Sequence, residues 1–135
     1  MTPKDGEILQ KQDLLYPELS YIVTGILFDV YNELGPGHQE KYYQKAVAVG
    51  LKNKKILYEE QYYVPMKYAG QTVGKYFLDF LIEGKIVLEL KRGLYIPQKV
   101  IFQTKQYLTT LQLQLGMVAI FTGNGVVVKR VLNLY

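Results

Sequence analysis

Tyr76-Phe77-Leu78-Asp79-Phe80-Leu81-Ile82-Glu83-Gly84-Lys85-Ile86-Val87-Leu88-Glu89-Leu90-Lys91 is a pair of short apolar runs joined by three residues. Runs of this length and composition read as strands buried in a sheet, and Glu83-Gly84-Lys85 reads as the hairpin loop between them. Glu89 and Lys91 are two residues apart, so they share a strand face. A three-residue loop, which Gly84 permits, sets Asp79 opposite Glu89 on that face, whereas a two-residue turn would send Asp79 to the other side. Two carboxylates and an ammonium in such apolar surroundings must be paired or hold a cation, because an isolated buried charge is too costly.

Outward from the hairpin, the chain alternates helical and extended patterns. Pro17 suits the first turn of a helix over Pro17–Leu34, with Leu19, Ile22, Val23, Ile26, Leu27, Val30 and Leu34 in one apolar stripe. Gly35-Pro36-Gly37 ends it. A second helix is expected from Gln39 to Asn53, with Tyr43, Ala46, Val47 and Leu51 inward. Strands are expected over Ile56–Met66 and Thr72–Ile82 around a Gly70-Gln71 turn, then over Ile86–Lys91. Pro97 opens a third helix to about Leu113, and Met117–Phe121 with Val126–Leu132 forms a closing hairpin over Gly123-Asn124-Gly125. Strands between helices make an α/β or α+β domain, a central mixed sheet flanked by helices. Residues 17–135 read as that one domain, and residues 1–16 as a flexible arm.

The 135 residues are 49% hydrophobic and 21% charged, an ordinary globular composition. With no cysteine, disulfides and thiolate metal sites are excluded. The polar start shows no signal peptide, and no apolar stretch approaches the roughly 18 residues of a membrane span, so the chain reads as soluble and cytoplasmic. Residues 1–40 carry Lys4 and Lys11 against seven acids, a net of −5, while the rest carry fourteen basic residues against five acidic ones, a net of +9. A basic body favours a polyanionic partner, though lysines also serve solubility alone. The 13 tyrosines can stack on unpaired bases where exposed, or fill the amphipathic faces of a sheet.

Splitting a phosphodiester requires an attacking water, charge relief at phosphorus and help for the departing oxygen. A divalent cation supplies these where carboxylates fix it. Asp79 and Glu89 are the candidate ligands, with the Leu90 carbonyl beside them. Lys91 is the candidate to orient or deprotonate water, or to stabilise the phosphorane. A buried ion-pair cluster, or a lysine snorkelling at a strand end, accounts for the same residues. Glu40 opens the second helix, where a glutamate also complements the helix dipole. Gln103 and Tyr107 are spaced i, i+4 on the third helix and share a face. His38, the single histidine, is a further candidate ligand.

Gly37-His38-Gln39-Glu40-Lys41-Tyr42-Tyr43 resembles the Gly-x-x-Glu-x-x-Tyr signature of the small GxxExxY proteins. Asp79, Glu89-Leu90-Lys91 and Gln103-x-x-x-Tyr107 resemble the PD-(D/E)XK nuclease pattern of the RecB-like exonuclease branch. Leu78 departs from it, standing where the motif's name has proline. The resemblance implies a restriction-endonuclease-like αβββαβ core and a hydrolase that uses Mg²⁺ or Mn²⁺ on nucleic acid, DNA foremost. It further implies Glu40, Asp79 and Glu89 around the metal, Lys91 as catalytic lysine, and Gln103 and Tyr107 supporting the site or the DNA backbone. Arg92, Lys99 and Lys105 are the expected phosphate contacts. The rival readings are a catalytically silent nucleic-acid- or partner-binding module on the same fold, and a hydrolase of another phosphate ester.

Overall fold

The computed structural model describes residues 15–134. Helices α1 (Pro17–Leu34) and α2 (Glu40–Asn53) precede strands β1 (Tyr58–Tyr68), β2 (Gln71–Ile82) and β3 (Ile86–Arg92). Helix α3 (Gln98–Leu111) then leads to β4 (Leu115–Thr122) and β5 (Gly125–Leu132). The five strands form one mixed sheet in the order β1-β2-β3-β4-β5. Only β3 and β4 run parallel, joined through α3, and every other neighbouring pair is antiparallel. This is an α+β arrangement with the restriction-endonuclease-like core.

The strands β3 and β4 are apolar almost throughout because helices cover them on both faces. On one face α1 and α2 bring Val23, Leu27, Val47 and Leu51 against Ile82, Leu88, Leu90 and Met117. On the other, α3 brings Val100, Ile101 and Leu108 against Leu81, Val87, Val118 and Val131. Each fully buried aliphatic side chain contributes about 1.5–3 kcal/mol relative to exposure, so these two layers dominate the stability. Gly116 in β4 lets α3 approach closely, since a Cβ there would stand 2.7 Å from Thr104 Cγ2.

Helix α1 begins with Pro17 in its first turn and ends at Gly35, whose φ of 76° is in the left-handed region and whose N–H donates to the Tyr31 carbonyl. Its buried line includes Ser20, while Ile22 and Leu34 of the expected stripe are exposed. Ser20 is accepted inward because its hydroxyl donates to the Tyr16 carbonyl at 2.8 Å. Several boundaries differ from expectation. Strand β1 begins at Tyr58, since Ile56 plugs the core just before the strand and Leu57 is exposed. The first hairpin turns on Ala69-Gly70, both at positive φ, rather than on Gly70-Gln71. Helix α3 stops at Leu111, where Gln112 takes φ 58°. The last hairpin pairs Thr122 with Gly125, leaving only Gly123-Asn124 as the turn. Of the expected arm, only Leu15 and Tyr16 fall among the described residues, and both pack against the α1–α2 core. No described helix is long and apolar enough to cross a membrane.

Candidate metal and catalytic site

The β2–β3 loop is the three-residue connection on which the site depends. Ile82 pairs with Ile86, and Glu83 and Gly84 take φ 53° and 64° to close the turn. The ladder continues through Leu81–Val87 and ends at Phe80–Leu88. The next residues in that register are Asp79 and Glu89, where side chains replace the ladder. Leu90 N–H donates to Asp79 Oδ2 at 2.7 Å, and Asp79 N–H points to Glu89 Oε1 at 3.4 Å. In extended backbone the N–H and C=O of one residue point to the same side, so the Leu90 carbonyl also faces β2.

Asp79 sits where β2 changes layers. Phe80 and Ile82 belong to the core under α1 and α2, yet Tyr76 and Leu78, of the same parity, belong to the α3 side. The partner strand is distorted at the same point: Gln61, facing Asp79, takes φ 51°, and this pair is missing from the β1–β2 ladder. The distortion frees the Asp79 carboxylate to reach β3.

Glu89 is the one charged side chain that is buried among the described residues, at 7% exposure. Its Oε1 faces the Asp79 N–H, which sets the two carboxyl groups side by side. Burial, then the neighbouring Asp79 charge, pushes the Glu89 carboxyl up to about 8. Burial also raises the Asp79 carboxyl, against the Leu90 N–H and the Lys91 charge, which stabilise its ionised form. Burial and mutual repulsion thus both work against ionising the two carboxyls together, a cost that a cation between them would relieve.

The remaining expected residues arrange themselves around this pair at different ranges. Lys91, half-buried, attracts both carboxylates and lines a cavity of about 590 Å³ with Tyr76, Lys99, Phe102 and Gln103. Tyr107 is buried edge-on against Tyr76, at 5.4 Å between centroids. Burial, followed by the Glu89 charge, pushes its phenol up. Glu40 is near enough for its charge to raise Asp79. Even so, no group of three or more His, Cys, Asp and Glu among the described residues is gathered to hold a metal ion. The ligand set expected from the sequence is therefore a carboxylate pair, with Glu40 outside direct grouping. His38 turns away, since its Nε2–H donates to the Leu34 carbonyl at 2.7 Å and its ring packs edge-on against Tyr43.

Arg92 Nη1 donates to the carbonyls of His38, at 3.0 Å, and Gly37, at 3.5 Å. It ties the α1–α2 loop to β3. Lys99 and Lys105 are exposed on α3.

Two residues were missed in the sequence. Gln44 Nε2 donates to Asp79 Oδ1 at 3.2 Å, holding the carboxylate from α2. Its i+4 spacing from Glu40 was the available signal. Tyr43 was read as an inward residue and as the tyrosine of the signature, with no role for its hydroxyl. It is fully buried against Phe121, at 4.0 Å between parallel rings, but its hydroxyl also donates to the Gly35 carbonyl at 2.7 Å. That hydroxyl in turn accepts from His38 N–H at 3.3 Å. The tyrosine is thus a strut that fixes the glycine-rich loop and the start of α2, and with it Glu40.

Oxygen donors without a thiol or an available imidazole suit a hard divalent cation. The model of the PD-(D/E)XK nuclease superfamily matches residues 17–131. The chain belongs to that superfamily, whose members are usually nucleases that use divalent metals on nucleic acid. Among solved structures it is similar to the crystal structure of SSO0001, with 15% identity and a TM-score of 0.48, over 97% of this chain and 78% of that one. No curated protein matches the chain.

Proposed function

We propose that this chain is a divalent-metal-dependent nuclease that hydrolyses phosphodiester bonds in DNA, acting in the cytoplasm. The observation that carries the reading is buried Glu89 set beside Asp79 across the β2–β3 hairpin, with Lys91 lining the adjoining cavity. Asp79, Glu89 and the Leu90 carbonyl would hold Mg²⁺ or Mn²⁺, with Glu40 reaching it through water. When bound, the cation would polarise the phosphate and acidify a water ligand. Gln44 and the Leu90 N–H orient Asp79 from two sides. Lys91 takes the position from which an ammonium orients the attacking water or meets charge developing on phosphorus. Gln103 and Tyr107 brace the same wall, as in the RecB-like branch, and the loop strut is the role we assign to the tyrosine of the GxxExxY signature.

The test is incubation of labelled single- and double-stranded DNA and RNA with the protein in Mg²⁺, Mn²⁺ or EDTA. Cleavage of DNA that needs metal and disappears in Asp79→Asn is expected. Intact substrate under every metal condition would refute the proposal. A second reading, a silent binding module, draws on the gathering of two carboxylates rather than three. It predicts metal-independent binding without product.

A further inference from the structure

We propose that the groove between α3 and the β1–β2 ribbon is a track for single-stranded DNA, with Phe102 and Tyr76 as its base-stacking platform. This rests on the nuclease reading above and adds the form of the substrate.

The cavity at Lys91 does not end there. It shares Tyr76, Phe102 and Gln106 with a second cavity of about 830 Å³, which runs past Lys105 and Thr109 to Met66 and Lys67. The two make one path leading away from the carboxylate pair. Lys91, Lys99, Lys105 and Lys67 line it, and among the described residues no acidic side chain does. A wall of lysines beside the site is complementary to a polyanion.

The apolar components discriminate between strand forms. Phe102 is 58% exposed although the opposite face of α3 is packed into the core. Lys99 and Lys105 lie one turn to either side of it, about 4.5 Å along the axis at 1.5 Å per residue. Tyr76 is held rigidly across the groove by its edge contact with buried Tyr107. Aromatic faces between lysines fit unpaired bases whose phosphates lie alongside. A duplex, whose bases are stacked on one another, would present only phosphates here and leave both rings unused.

Binding is read by fluorescence anisotropy in EDTA, using a labelled oligothymidine and a duplex of equal length. The single strand should bind at least about tenfold more tightly, and Phe102→Ala should lose about 5- to 100-fold of that affinity, with Phe102→Tyr retaining it. Lys67→Ala and Lys105→Ala should each reduce the salt slope by about 0.7. Equal or tighter duplex binding, or an unchanged Phe102→Ala, would overturn the track. Cleavage of the same oligonucleotides in Mn²⁺ separates the two ideas. Duplex-only cleavage keeps the nuclease and removes the track, whereas Phe102-dependent single-strand binding without product keeps the track and removes the nuclease.

Discussion

Glu89→Gln is the most exacting test of the site, because it removes a titration while keeping the shape of the side chain and an acceptor toward Asp79 N–H. In the unfolded chain Glu89 loses its proton near 4.5, but in the folded protein it keeps it to about 8. Between those values the folded state binds more protons, so stability must fall as pH rises, by about 1.4 kcal/mol per unit. The contribution is fully present below pH 4.5 and gone above about 8. Across that window the loss is on the order of 5 kcal/mol, comparable with the whole stability of a small domain at the lower end of its range. Urea denaturation in EDTA from pH 5 to 9 should therefore show the parent weakening steadily and Glu89→Gln remaining nearly flat, so that the variant is the more stable protein at pH 8. A parent whose stability holds or rises over that range, or a variant with the parent's slope, would refute the argument.

Lys91→Ala should keep its melting temperature and lose about 10²-fold or more in cleavage rate, because a preorganised cation acts mainly on the transition state; a large loss of stability instead would mark a structural ion-pair cluster. Gly116→Ala should cost about 1–3 kcal/mol by forcing α3 off β4, measured by denaturant unfolding, and no cost would mean that Thr104 yields freely. Arg92→Ala should speed amide hydrogen exchange at residues 38–41 while changing stability by only about 1 kcal/mol. Unchanged exchange with weaker, less salt-dependent DNA binding would return Arg92 to the phosphate role expected from the sequence.

The hairpin that builds the site was legible because its signals are local. Gly84 allowed the loop length, the loop length set the parity, and parity placed Asp79 opposite Glu89. Pro17 and Gly35 marked the first helix for the same reason. The illegible parts depend on distant neighbours. Gln61 gives no sign in its own sequence that it will adopt φ 51° opposite Asp79. Arg92 follows Lys91 as another basic residue, and only the folded loop reveals two carbonyls awaiting its guanidinium. Strand β1 blurred because its alternation is weak: most of its residues are exposed on a ribbon that extends beyond the helices. His38 looked available as a ligand until its ring was seen to close the loop on Leu34.

The loop strut and the helix-borne glutamine have a consequence for how activity arises during folding. Asp79 and Glu89 meet across a separation of 10 residues, so a hairpin can bring them together early. Gln44 reaches Asp79 across 35 residues, and Arg92 reaches His38 across 54. Those closures carry more chain entropy and mature only once the helices have docked on the sheet. An incompletely folded chain would then possess the carboxyl pair without the restraints that aim it. The proposed nuclease activity would in this way be coupled to completion of the fold.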